Sequence, residues 1–512
     1  MEEQQSGWEH SLNAPMTLSQ LDYDVLSVIV SHLRIRDAFN LALAAREFQD
    51  VALRKALAVV SIRSNDHLAQ VRAYMLADVH GRLQHMRELT VHLTIFLQGG
   101  NYVNRDDPYG ARTPAGHLAD LLGQAHNLRR VSLSPVDILV QSEPRVGSAL
   151  TALPLLTTID LKCLGPNSVD LLGQMQNNPI TVQLGCNSTH FLPLIYRMSA
   201  MQSLRTMQLE LSMGYMGQGT FPASADHRPQ WPTVHTLILS SCDASMTECV
   251  RAFPGLRVLR LLGFDRHPEV RPTICWPSLD FVEADVQYFL HWHISCPVHH
   301  LSLHPVLAKP RIQVQWSYTE DGGKFLPTAL NVIKNTSPVV LTLSIMPYPR
   351  LADMFWTTLV KFTPRLRCLE VELCEFRDAV DLYSNLLLWM NTTLPIMGNC
   401  TELLQIDIRI NPTMARYVND AGRYLGPTTA LESSFEVAQE YAQLVVKHIP
   451  SIHLLSIGFA ARVIINGPNR TSFPPCPWWW RVEFTSDGRV PQPIEPDLAG
   501  QIRSDLAIDI RD

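Results

Sequence analysis

The sequence is short of charge. Only 18% of its 512 residues are Asp, Glu, Lys or Arg, below the roughly 25% of an average soluble chain. Apolar residues make up 46%, which excludes an intrinsically disordered chain, and the low charge excludes a coiled coil. Positive charge is not in excess: 42 Lys and Arg against 48 Asp and Glu leave a net charge of −6. No general attraction to nucleic-acid phosphates or anionic membranes follows. Basic pairs such as Arg129-Arg130 and Arg34-x-Arg36 are small and separated, a pattern of solvated groups rather than nucleic-acid contacts. No run approaches the ~18–20 uncharged apolar residues of a spanning helix. The first seven residues are acidic and polar where a secretory signal is basic and then apolar. Ten cysteines occur with no Cys-x-x-Cys pair, which predicts buried thiols in a reducing compartment. The expectation is a protein of the cytoplasm and/or nucleus, with neither nucleic acid nor membrane as partner.

Reaction motifs are missing too. There is no Gly-x-Ser-x-Gly elbow, no Gly-x-x-x-x-Gly-Lys-[Ser/Thr] loop and no His-Glu-x-x-His helix. The densest group of potential ligands is His291-Trp292-His293-Ile294-Ser295-Cys296-Pro297-Val298-His299-His300. A metal site needs four converging ligands and a supporting shell, and this stretch reads better as a polar rim on a loop. No catalytic residue, cofactor or metal is expected, and the chain is not expected to be an enzyme.

What is present comes in two textures. After a tail over residues 1–15, Leu21, Val25, Val28 or Ile29, and Leu33 recur at helical spacing. Asp22 or Ser19 can cap that helix, and Asp37 a second one carrying Phe39, Leu41, Ala42 and Leu43. A third short piece holds Phe48, Val51, Ala52, Leu53 and Leu57. Three helices in some forty residues lie near the lower limit for independent stability, so the module needs either the rest of the chain or a partner.

Beyond residue 58 the pattern apolar-x-x-apolar-x-apolar recurs. It appears at Met86, Leu89, Val91; Leu128, Val131, Leu133; Leu156, Ile159, Leu161; and Leu204, Met207, Leu209. It continues at Val234, Leu237, Leu239; Leu256, Leu259, Leu261; Val298, Leu301, Leu303; and Leu366, Leu369, Val371. It ends at Leu403, Ile406, Ile408 and Ile452, Leu455, Ile457. Looser copies sit at Val182–Leu184, Leu279–Val282 and Leu341–Leu343. Their period-2 ends predict short strands. Helical stretches lie between them at 115–124, 169–176, 191–198, 245–253, 350–362, 380–390 and 432–448. One strand–helix unit cannot bury its apolar face alone, so the units must stack. The spacing is irregular, 19 to 30 residues through the middle and 28 to 49 toward the end. An ordinary α/β domain shares the alternation, but no glycine-rich phosphate turn follows any strand.

Two family resemblances follow. The stretch Leu21-Asp22-Tyr23-Asp24-Val25-Leu26-Ser27-Val28-Ile29-Val30-Ser31-His32-Leu33, then Asp37 and Phe39-Asn40-Leu41, then Arg46-Glu47-Phe48, resembles the F-box. Asp22 stands where that motif has proline, and Ala44-Ala45 where it has Val-Cys. The repeats resemble leucine-rich repeats, with Cys242 and Cys374 at the step where that family turns an Asn or Cys inward. Together they look like the fungal F-box and leucine-rich-repeat proteins. The resemblance implies a substrate-recognition adaptor of an SCF-type ubiquitin ligase. Leu21, Val25, Leu26, Ile29, Leu33, Phe39, Leu41 and Phe48 would dock an SKP-type adaptor, and through it a cullin; the repeats would bind a protein substrate. The alternative is an interaction scaffold whose F-box-like helices only cap the array.

The last segment is proline-rich around Trp478-Trp479-Trp480. One or two of these tryptophans are expected to cover the open end of the array, as a terminal cap must, with Leu498, Ile502, Leu506 and Ile510 on a closing helix. The expected fold is α/β: a three-helix F-box over 16–60, an irregular leucine-rich-repeat-like solenoid over 61–470 and a cap over 471–512.

Overall fold

A computed structural model describes residues 21–91, 109–186, 197–211, 230–240, 246–262, 275–290, 292–304, 322–345, 349–374, 379–411, 435–459, 477–486, 488–506 and 508. The expected tail, Ser19, Cys242, His291, Ile510 and most of the expected 191–198 helix lie outside the described residues. The chain is mixed α/β and divides into two compact units, one ending near Gly219 and the other running from Gln230.

The first unit opens with three helices: α1 (Tyr23–Ser31), α2 (Ile35–Ala44) and α3 (Gln49–Ala58). Their shared core is Val30, Ala38, Ala42, Val51, Ala52 and Ala56, flanked by Leu33, Leu41 and Leu53. Four alanines in that core let short helices approach closely, at the expense of apolar area; removing less apolar surface from water yields less stabilisation. Asp22 does occupy the N-cap of α1, but its side chain makes no capping bond. The expected cap at Asp37 is displaced: Arg34 precedes α2, and Asp37 sits within its first turn, where a negative charge still favours the helix dipole.

Strands and helices then alternate. They are β1 (Val59–Ile62), α4 (Asn65–Leu76), β2 (Glu88–Val91), α5 (Tyr109–Leu122) and β3 (Arg130–Leu133). There follow α6 (Val136–Ser142), α7 (Pro144–Ala152), β4 (Thr158–Leu164), α8 (Pro166–Gln174), β5 (Thr181–Cys186) and β6 (Thr206–Leu211). The six strands pair in parallel, each with its sequence neighbour.

The second unit continues with β7 (Thr236–Ser240), α9 (Met246–Ala252), β8 (Val258–Leu262), β9 (Leu279–Asp285), β10 (Val298–His304), α10 (Gly322–Thr336) and β11 (Val340–Ile345). Next come α11 (Pro349–Phe362), β12 (Cys368–Cys374), α12 (Ala379–Met397), β13 (Gln405–Asn411), α13 (Phe435–His448) and β14 (Leu454–Phe459). These strands are again parallel neighbours. The pattern then reverses: β15 (Trp478–Thr485) runs antiparallel to β14, β16 (Gly488–Ile494) pairs antiparallel with β15, and α14 (Pro496–Asp505) follows.

The recurring sequence pattern has a physical basis. Its three apolar positions are buried in every full copy, from Met86, Leu89 and Val91 to Ile452, Leu455 and Ile457. Side chains alternate across a strand, so the last two apolar positions of each copy point to one face. Pro154, Pro254, Pro364 and Pro450 each follow a helix end by two residues, where proline cannot continue the helix. Just before the strands, one carbonyl accepts two successive amides of the next copy. Arg129 takes Thr157 and Thr158, His235 takes Arg257 and Val258, and Leu404 takes His453 and Leu454. The repetition satisfies the backbone at each strand entrance. Within each unit the arrangement is compatible with a solenoid. No helix among the described residues is long and apolar enough to cross a membrane.

Candidate functional site

Large apolar side chains exposed to solvent gather on α1 and α2. Tyr23, Val25, Val28, Ile29, Ile35, Phe39 and Leu43 are all exposed, Val28 at 58% and Leu43 at 72%. Among the described residues they make up seven of the nineteen exposed large apolar side chains and fall within 21 positions, so they form a local feature rather than scattered background. The cause lies in the helix geometry: Val30, Ala38 and Ala42 face the core, and the residues between them are turned outward.

The residues singled out from the sequence divide into three groups. Val25, Ile29 and Phe39 are exposed. Leu21, Leu26, Leu33 and Leu41 are half-buried, and of these Leu33 and Leu41 pack on the module's own core. Phe48 is buried, on the 3₁₀ turn Arg46–Phe48. Tyr23, Val28, Ile35 and Leu43 were not among the expected docking residues, although Val28 lies three residues from Val25 and Ile35 and Leu43 lie four residues either side of Phe39. The Ser31 hydroxyl donates to the Val28 carbonyl at 2.6 Å, so this serine serves the end of α1.

The described residues of the histidine-rich stretch do not gather as a ligand cluster. His299 Nε2–H donates to the Ile508 carbonyl at 2.8 Å, and His300 Nε2 lies 2.8 Å from Thr342 Oγ1. Cys296 is buried, which pushes its thiol up to about 11. Burial does the same at Cys186, up to about 12, and at Cys400, up to about 11. Cys163, Cys186, Cys249, Cys275, Cys296, Cys368 and Cys400 are thiols rather than disulfide partners.

A different group does gather. Cys368, Glu370 and Asp407 place one potential ligand atom each within 4.8 Å of one another. Glu370 and Asp407 are register partners on β12 and β13, pointing away from the face that carries Leu369 and Ile406. Thr342 Oγ1–H donates to Glu370 at 2.9 Å; its single proton is thereby used, so His300 must donate to Thr342. Ser456 Oγ donates to Asp407 at 3.0 Å, and the Gln405 amide donates to both Asp407 oxygens. Arg503 on α14 supplies the positive charge, 3.2 Å from Glu370 and 3.5 Å from Asp407. Burial raises Asp407 to about 6, helped by the neighbouring Glu370 charge. Burial opposes ionisation of Glu370 as well, but Arg503, then His300 and Arg409, hold it below the ordinary carboxylate range. With a guanidinium already against both carboxylates, the group is an ion-pair network. A metal would have to displace Arg503.

No family model matches the chain, and no curated protein matches it. Among solved structures it is similar to a chain in the crystal structure of the Rad7 and Elc1 complex in yeast. That match has 11% identity and a TM-score of 0.30, covering 75% of this chain and 87% of that one. At that score the similarity fixes neither fold nor function.

Proposed function

We propose that this chain is a non-enzymatic adaptor: α1–α3 dock a second polypeptide of the SKP type, and the strand–helix repeats bind a protein to be delivered. The observation that carries the reading is the exposed apolar stripe of α1 and α2. A groove-binding helix presents apolar anchors three and four residues apart, and Val25, Val28 and Ile29 have that spacing on an exposed surface. The F-box resemblance in the same residues supplies the kind of partner. On this reading the ubiquitin chemistry belongs to other subunits of a cullin ligase, and the chain works in the cytoplasm or nucleus.

A second reading has its own support. Leu33, Leu41 and Phe48 are engaged within the chain, as they would be if the helices only capped the array.

Co-purification of the full chain with an SKP-type adaptor separates the two readings. Ile29→Asp puts a charge on the exposed stripe, where it stays solvated in the monomer but would be unpaired in a buried interface. The adaptor reading expects wild-type capture, loss of capture in Ile29→Asp, and an unchanged circular dichroism spectrum. Equal capture by both proteins would reject this docking face.

A further inference from the structure

Charge does not border the apolar stripe of α1 and α2 evenly. Where α1 turns into α2 the sequence reads His32-Leu33-Arg34-Ile35-Arg36, and His32, Arg34 and Arg36 are all exposed. His32 keeps helical backbone angles at the end of α1, so it lies one turn after Val28 on the same side. Arg36 lies about 60° round α2 from Phe39. Both therefore border the stripe rather than the core. Asp37 is the neighbouring acid, but it lies about 160° from Phe39, toward the far side of α2. Carboxylates stand at the other end of α1: Asp22 precedes the helix, and Asp24 lies one turn before Val28.

The two arginines are not used inside the chain. Among the described residues neither Arg34 nor Arg36 enters an ion pair. Other arginines of the module are balanced. Arg54 pairs with Asp50 at 2.8 Å and lies over the Tyr23 ring, 6.0 Å from its centroid, and Arg46 stands beside Glu47. Arg34 holds the N-cap position of α2 and Arg36 its first turn, where a positive charge opposes the helix dipole. The placement therefore weakens the free module slightly, and an anionic group brought from outside would reverse that sign.

We propose that Arg34 and Arg36, with His32 beside them, form a cationic rim that orients a partner protein on the stripe. The partner's apolar groove covers Val28, Ile29, Ile35 and Phe39, and carboxylates at one mouth of that groove meet the α1–α2 turn. The inference rests on the adaptor reading and adds to it the charge of the partner and the direction in which it lies. Rim charges act on the encounter: they raise the association rate and exclude wrongly charged partners more than they add affinity. The buried apolar anchors set how long the complex lasts. An anionic membrane would also attract the two arginines, but it would repel Asp22 and Asp24 on the same helix. A protein groove with its charges separated fits both ends.

The test measures association of the full chain with a surface-tethered SKP-type adaptor at about 0.05 M and about 0.5 M salt. Wild type associates faster at the lower salt. The double variant Arg34→Glu, Arg36→Glu associates at least about tenfold more slowly there and loses the salt dependence, while its dissociation rate stays within about threefold of wild type. Glutamate in these exposed positions suits the start of a helix, and an unchanged circular dichroism spectrum checks the fold. Arg34→Lys, Arg36→Lys keeps the wild-type rate, which separates charge from packing. Ile29→Asp instead loses capture at both salts. Wild-type association that ignores salt, or that charge reversal leaves unaltered, overturns the proposal and leaves the adaptor reading standing. No association of wild type at either salt rejects both. Sedimentation with vesicles of phosphatidylserine and phosphatidylcholine in equal parts is the last arm: wild-type uptake that the glutamate variant loses assigns the rim to a membrane and overturns the proposal.

Discussion

Glu370 and Asp407 face each other across β12 and β13, and their surroundings push them in opposite directions. Asp407 is raised to about 6 by burial and by the Glu370 charge. Folding therefore favours its protonated form; that contribution is complete in acid and is lost as pH rises through 6. Glu370 is lowered, chiefly through Arg503, so its contribution is present at neutral pH and is lost as pH falls. Asp407→Asn removes the first effect and relieves the repulsion on Glu370. The variant is expected to be more stable than wild type at pH 8 by roughly 1–3 kcal/mol, with the difference shrinking toward pH 5. Thermal melts at the two pH values measure it. A variant less stable than wild type at pH 8 would mean that Arg503 needs the second carboxylate.

Trp480 is fully buried on β15, stacked on Phe435 at 6.1 Å between centroids, and its indole N–H donates to Gln439. It joins the antiparallel hairpin to α13. Trp480→Ala should cost about 3–5 kcal/mol, since a large cavity opens and the Gln439 oxygen loses its donor. Trp480→Phe should recover part of the packing and none of the hydrogen bond. Urea unfolding of the three proteins orders them; an alanine variant as stable as wild type would show that the hairpin adds nothing to the second unit.

Gly255 follows Pro254 in the turn before β8. A Cβ there would fall against the Pro232 carbonyl oxygen, a backbone atom that cannot swing aside. Gly500, in α14, has nothing within 4 Å of its Cβ position. Alanine at Gly500 should therefore stabilise α14 by up to about 1 kcal/mol. Alanine at Gly255 should destabilise by roughly 1–3 kcal/mol, despite the entropic gain glycine replacement usually brings. Melting curves for the pair give opposite signs if the close approach is real.

The strands of the repeats were legible because each carries its own period. Leu204, Met207 and Leu209, or Leu403, Ile406 and Ile408, mark a strand entrance without any long-range information. The helices α4, α6, α7 and α10 were not expected. In α4 the apolar stripe is weak, with only Leu68 and Met75 buried, while Pro135 and Pro144 cut the next stretch into two short pieces. Pro327 obscures α10. The β15–β16 hairpin was hidden by Pro491 and Pro493, which an edge strand tolerates and a central strand does not. Among the candidate sites, the apolar stripe was readable as helical spacing, although which half faces inward was set by the alanines of the core. The Glu370–Asp407–Arg503 network was not readable. Glu370 and Arg503 are 133 residues apart in sequence, and nothing local marks either as buried.

The exposed stripe predicts how the chain behaves without a partner. Val28, Ile35 and Leu43 are exposed on α1 and α2, and exposed apolar side chains gathered on two neighbouring helices of an unpartnered chain promote association. The isolated protein should therefore sediment as a concentration-dependent mixture of monomer and larger species. Leu43→Glu should shift it toward monomer. Because Leu43 is 72% exposed, the change should leave the unfolding free energy within about ±0.5 kcal/mol of wild type, as for ordinary surface substitutions. Val30→Glu is the counterpart: at 2% exposure in the core of the same module, it should unfold α1–α3 and worsen association. Analytical ultracentrifugation beside far-UV melts distinguishes the two. If Leu43→Glu leaves the sedimentation profile of the wild type unchanged, the stripe is not the surface through which the unpartnered chain associates.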